Sequence, residues 1–223
     1  MMIRSDSTVG QLAAEHPLAT RVFHRHGIDF CCDGGRKLQE ACAAQDLDTE
    51  MVLEEIRKEL SNTTTPEERW VQAPLEDLIH HILVTYHRPL QEELPRLESM
   101  ARKVLEVHGD KDPETLSEVV EVYAGLKAEL SQHMVKEEQI LFPMIEQGQG
   151  AMAGGPVSMM EQEHESAGAA LRRLRELTKD YQVPPEACNT WRALWHGLAA
   201  LEESLHQHIH LENNILFPRA LRS

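Results

Sequence analysis

Aromatic residues make up only 4% of the 223-residue chain, although 41% of it is hydrophobic. A β sandwich or barrel needs more aromatic and β-branched residues than this, so the composition points to an all-α protein. Basic residues are scarce too: 22 Lys and Arg stand against 37 Asp and Glu, a formal charge of −15. That sign excludes a protein that gains affinity by neutralising phosphates, so nucleic acid is not an expected partner. No apolar run approaches the ~20 residues needed to span a bilayer, and the first residues lack the apolar stretch of a secretory leader. The expected location is cytoplasmic, with no membrane partner. Cysteine is sparse as well. Of the four, Cys31 and Cys32 are adjacent while Cys42 and Cys188 have no near partner, which excludes an extracellular disulfide framework. Cys42 and Cys188 read as ordinary apolar residues.

Histidine, by contrast, is abundant, with 13 residues, and it directs attention to metal. Residues 1–60 carry short apolar clusters punctuated by Pro17, Gly27, Gly34 and Gly35, the pattern of a small helical module of three or four short helices, with Asp48 or Thr49 capping the last. Residues 61–74, polar and with two prolines, read as a linker. From 75 to 223 four segments keep helical periodicity, roughly 75–107, 114–146, 157–181 and 186–214, separated by glycine- and proline-containing breaks. The expected architecture is an up-down-up-down four-helix bundle behind the N-terminal module.

An internal repeat carries the chemistry. Residues 133–143, HMVKEEQILFP, and 208–218, HIHLENNILFP, both read H-x-x-x-E-x-x-I-L-F-P. A spacing of four turns the helix by about 40° beyond a full circle, so each His and Glu share a face. His87 and His164 lie on the preceding helices. In an antiparallel hairpin, residues at one height are equidistant from the turn. The midpoint of 87 and 133 falls at 110 and that of 164 and 208 at 186, each in or against a predicted break. His87, His133, Glu137, His164, His208 and Glu212 are therefore expected at one level of the bundle.

Four imidazoles and two carboxylates suit a dinuclear site in which each carboxylate bridges two cations. Nitrogen and oxygen donors without thiolate favour iron, with manganese or zinc as alternatives. Four protein donors per metal leave positions for an oxo or hydroxo bridge and for dioxygen, nitric oxide or peroxide. Glu129, one turn before His133, and Glu163, next to His164, are candidates for orienting a ligand ring or relaying protons, against the plainer reading as surface acids. His206 and His210 point away from the face of His208, and His80 and His81 lie nearly two turns from His87; all four read as solvated or rim residues. The Ile-Leu-Phe-Pro tails read as packing and helix-terminating segments. Cys31 and Cys32, inside FCCDGG, are candidates for redox exchange or metal transfer, with structural burial as the alternative.

Taken with TYH at 85–87, EQEHESAG at 161–168 and HIHLENNILFPRAL at the end, these motifs resemble the repair-of-iron-centres family, the YtfE, ScdA and DnrN type, over nearly the whole chain. The resemblance implies a hemerythrin-like bundle with two iron ions on the six residues above, the two Glu bridging. It also implies restoration of iron–sulfur clusters damaged by nitric oxide or peroxide through release of iron, with damaged iron–sulfur proteins as partners. Alternatives are an enzyme that reduces nitric oxide or peroxide, whose electron donor the sequence does not show, and a gas or iron sensor. A homodimer is left open.

Overall fold

The computed structural model describes residues 3–16, 18–30, 34–61 and 70–223, with His24 and Ser61 described by backbone alone. Cys31, Cys32 and most of the expected linker lie outside the described residues. Two compact units result. One comprises residues 1–80, 145–154 and 206–223, the other 81–144 and 155–205.

The second unit is the body of a four-helix bundle. Its helices are α6 (Arg88–His108), α7 (Pro113–Lys136), α9 (Gly154–Leu177) and the greater part of α10 (Asn189–Leu211). Buried residues recur at alternating spacings of three and four: Leu90, Leu94, Leu97, Ala101 and Val104 on α6, and Leu116, Val119, Tyr123, Leu126 and Leu130 on α7. That spacing places one apolar stripe along each helix, and the four stripes form one core with Leu171, Leu174, Leu194 and Trp195. Asp112 caps α7 by accepting the Thr115 N–H at 3.3 Å, and Pro113 follows at a position whose missing N–H costs nothing. The third helix ends at Leu177, earlier than its periodicity suggests, because Lys179, Asp180 and Tyr181 take left-handed backbone angles.

In the first unit, α1 (Val9–Glu15), α2 (Ala19–Arg25), α3 (Leu38–Ala44) and α4 (Thr49–Ser61) enclose a small core of Val9, Leu12, Phe23, Leu38, Val52 and Ile56. Asp48 caps α4 through the Glu50 N–H at 2.8 Å. The end of the last helix belongs to the same unit. Asn214 donates from Nδ2 to the Phe30 carbonyl at 3.4 Å, in a space open only because Gly10 and Gly34 lack Cβ atoms. Arg219 holds the carbonyls of Trp70 at 2.7 Å and Ala73 at 2.6 Å.

Three helices widen by one residue where metal donors were expected. The segments Leu83–His87, Glu137–Leu141 and Glu212–Leu216 are π-helical turns, closed by bonds from Arg88 to Leu83, Phe142 to Glu137 and Phe217 to Glu212. Each is followed by proline, Pro89, Pro143 or Pro218. Proline has no N–H for the carbonyl four residues back and its ring crowds that carbonyl, so an α turn is penalised and the wider turn is not. The Ile-Leu-Phe-Pro tails therefore do not terminate their helices. The helices run on, as α8 (Phe142–Glu146) and α11 (Phe217–Ala220).

Candidate metal centre

The expected donors occupy positions where the apolar stripes would otherwise carry leucine. Leu126 and Leu130 lead to His133 and Glu137; Val157 and Met160 lead to His164; Leu201 and Leu205 lead to His208 and Glu212. His87 closes its π turn behind Tyr86, where the extra residue brings it inward. All six are at most 3% exposed. A stripe that packs inward delivers whatever it carries, so helix formation alone aims these side chains at the core.

Within the unit of residues 81–144 and 155–205, four of them meet. Glu137 Oε2 lies 3.4 Å from His87 Nε2 and 3.3 Å from His133 Nε2, and His164 Nε2 lies 3.0 Å from His133 Nε2. His133, Glu137 and His164 each offer a donor atom within 4.8 Å of the others, as do His87 and Glu137. In the other unit His208 Nε2 lies 2.9 Å from Glu212 Oε1, one helical turn along.

The outward nitrogens decide the tautomer. His87 Nδ1 donates to Glu138 Oε1 at 2.9 Å, and His133 Nδ1 donates to Glu163 Oε2 at 3.0 Å. An ionised carboxylate only accepts, so in the neutral ring Nδ1 holds the proton and Nε2 turns a lone pair inward, as a metal requires. Burial pushes the Glu163 carboxyl up, but its bonds with the Lys136 ammonium and the His133 ring outweigh that and hold it below the ordinary carboxylate range. It therefore stays an acceptor at neutral pH.

A carboxylate withdrawn wholly from water, as Glu137 is, costs several kcal/mol unless a positive charge answers it. Imidazoles that present lone pairs do not answer it; a cation does. The donor set of nitrogen and oxygen without sulfur fits a borderline transition-metal ion better than the oxygen cages of calcium or magnesium.

The remaining candidates separate clearly. Glu163 faces a ligand ring, but Glu129 does not: it is exposed and accepts from Ser166 Oγ at 2.8 Å, while the outward nitrogen of His133 is already engaged by α9. Glu138 carries the corresponding role for His87. Its sequence signal is a second acid directly after Glu137, turned about 100° away on the helix. Glu138 also lines a cavity of about 270 Å³ with Lys127 and Ser131. His80 is exposed. His210 is not a solvated residue: it is buried, accepts from Asn214 Nδ2 at 3.1 Å and meets the Phe30 ring edge-on, and burial pushes its imidazole down to about 4. The Phe30 ring also meets half-buried His206, with centroids 6.0 Å apart.

Residues 78–220 match the hemerythrin HHE cation binding domain, and residues 5–60 match ScdA_N, a domain of unknown function. The chain is similar to the iron-sulfur cluster repair protein YtfE of Escherichia coli strain UMN026 and of Shigella boydii serotype 4. Each is 44% identical over 220 residues, covering 99% of this chain and 99% of the relative.

Proposed function

The chain belongs to the hemerythrin HHE cation-binding family, with full-length kinship to the YtfE proteins, and from that premise we propose that it repairs damaged iron–sulfur clusters by supplying iron. The observation that carries this reading is the buried set His87, His133, Glu137 and His164, with its Nε2 atoms turned inward and two of its rings fixed from outside by Glu138 and Glu163. His208 and Glu212 repeat the His-Glu spacing of His133 and Glu137. The proposal joins both sets into one dinuclear iron centre, with Glu137 and Glu212 as bridging carboxylates. When bound, the iron pair offers open positions to nitric oxide, dioxygen or peroxide and is the store from which a damaged cluster draws metal.

Four protein donors per iron hold the metal less completely than a filled coordination sphere, which suits release. Residues 1–60 are assigned to a small helical module, 61–74 to a linker and 75–223 to the bundle. Cys31 and Cys32 are assigned to redox exchange or metal transfer during that release. The partner is a damaged iron–sulfur protein in the cytoplasm, met by a monomer or a homodimer without nucleic acid or membrane; no described helix is long and apolar enough to cross a membrane. The test is anaerobic incubation of the iron-loaded chain with a cluster protein damaged by nitric oxide. Recovery of that protein's activity, matched by iron lost from this chain, is expected. Recovery with no iron transferred would overturn the supply mechanism.

A further inference from the structure

The donors His87, His133, Glu137 and His164 are at most 3% exposed, so a metal ion reaches or leaves them only by passing a layer of side chains. Two carboxylates stand in that layer, each against the outer nitrogen of a ligand ring, and their surroundings differ. Glu163 accepts from His133 Nδ1 and is also paired with the Lys136 ammonium. A cation moving past Glu163 meets that ammonium, and like charges repel. Glu138 accepts from His87 Nδ1 at 2.9 Å, and among the described residues no lysine or arginine forms an ion pair with it. The His87 side is therefore the one that favours a passing cation.

The cavity of about 270 Å³ that Glu138 lines is the second, independent observation. It lies between α6 and α7, where buried Leu94 and Met134 line it together with exposed Gln91, Pro95, Ser131 and Val135, so it joins the buried layer to solvent. Pro95 sits inside α6 and has no N–H to give the Gln91 carbonyl, which is left without its helical partner. Ser131 Oγ donates to the Lys127 carbonyl at 2.7 Å and keeps its lone pairs for a ligand. Lys127, the cation on the lining, is already engaged by Glu98 at 2.5 Å. The groove thus offers oxygen donors that can stand in for the waters of a hydrated cation. At its inner end a single ring separates it from the centre: His87 Nε2 lies 3.4 Å from Glu137 Oε2, while His87 Nδ1 meets Glu138.

We propose that this groove is the route by which ferrous iron enters and leaves the centre, with Glu138 as the transit carboxylate between the donors and solvent, an inference that rests on the iron-supply reading above. On the way out the Glu138 carboxylate replaces the His87 imidazole on the ion, and water then replaces Glu138. Each step exchanges one donor for another, so the ion keeps its oxidation state and no co-reactant is consumed.

The experiment measures three quantities on the full chain under anaerobic conditions: the rate of ferrous-iron uptake, the rate of its removal by a ferrous chelator, and the equilibrium affinity. A barrier in a passage is met in both directions, so it changes both rates by one factor and leaves the affinity alone, whereas damage to the donors changes the affinity. Ser131→Phe, which fills the groove from an exposed position, should slow uptake and release alike by roughly tenfold at unchanged affinity. Val135→Ala, which widens the mouth, should speed both. Gln132→Phe places the same ring on α7 at an exposed position outside the groove and should match the parent. Parent rates in a folded Ser131→Phe chain would overturn the route while leaving the iron reading intact, and so would equal slowing by Gln132→Phe or a change in release alone. If Ser131→Phe does not fold, Val135→Ala decides, and parent rates there overturn the route. A parent chain that takes up no iron removes the iron reading and the route with it.

Discussion

His133 Nδ1 on α7 and Glu163 Oε2 on α9 stand 3.0 Å apart, so a carboxylate of one helix fixes the ring of another. The same relation holds between His87 and Glu138 at 2.9 Å. These contacts set which nitrogen faces inward, and they predict that Glu163→Gln or Glu138→Gln lowers iron affinity by roughly 10- to 100-fold, while the helical signal stays intact. Chelator competition against the folded variants checks this; affinity equal to the parent would remove the orienting role.

The π turns yield a separate expectation. Replacing Pro143 and Pro218 by Ala supplies N–H groups able to reach the carbonyls of Gln139 and Asn214, so the α-helical bond pattern becomes available. Closing either turn by one residue rotates the C-terminal remainder of that helix by about 100° relative to Glu137 or Glu212. The double variant should retain its helicity and bind iron more weakly. Unchanged binding in a calorimetric titration would mean that packing, not proline, keeps the turns wide.

Much of this was legible in the sequence, and the reason is periodicity. The repeated His-Glu spacing lies in phase with the leucine stripes, so both the bundle and its inward donors come from one pattern. What the pattern does not carry is contact between helices. Glu138 and Glu129 look alike as acids near His133, and only the neighbouring helices separate them: Glu138 meets His87, whereas Glu129 meets Ser166. The fate of the proline tails was hidden for a local reason, because proline signals that an α turn is disfavoured without saying whether the helix stops or widens. His210 reads as a rim residue from its angle to His208, yet Phe30 and Asn214 enclose it.

The N-terminal packing is testable at Gly10. A Cβ there would strike Asn214 Oδ1 and come within 2.9 Å of the Gly34 carbonyl oxygen, which is backbone and cannot swing aside. Gly10→Ala should destabilise the unit by about 1–3 kcal/mol, read as a lower urea midpoint, whereas Gly35→Ala, with nothing within 4 Å of its Cβ position, should cost far less. Equal midpoints for the two variants would contradict the close approach.

The central claim is that His87, His133, Glu137, His164, His208 and Glu212 form one dinuclear iron centre. Six donors are too few for two separate six-coordinate ions and suit a bridged pair. The most direct measurement is metal analysis by mass spectrometry of the full chain purified anaerobically from iron-replete cells. The account predicts two iron atoms per chain; one metal per chain, or zinc alone under those conditions, would contradict it.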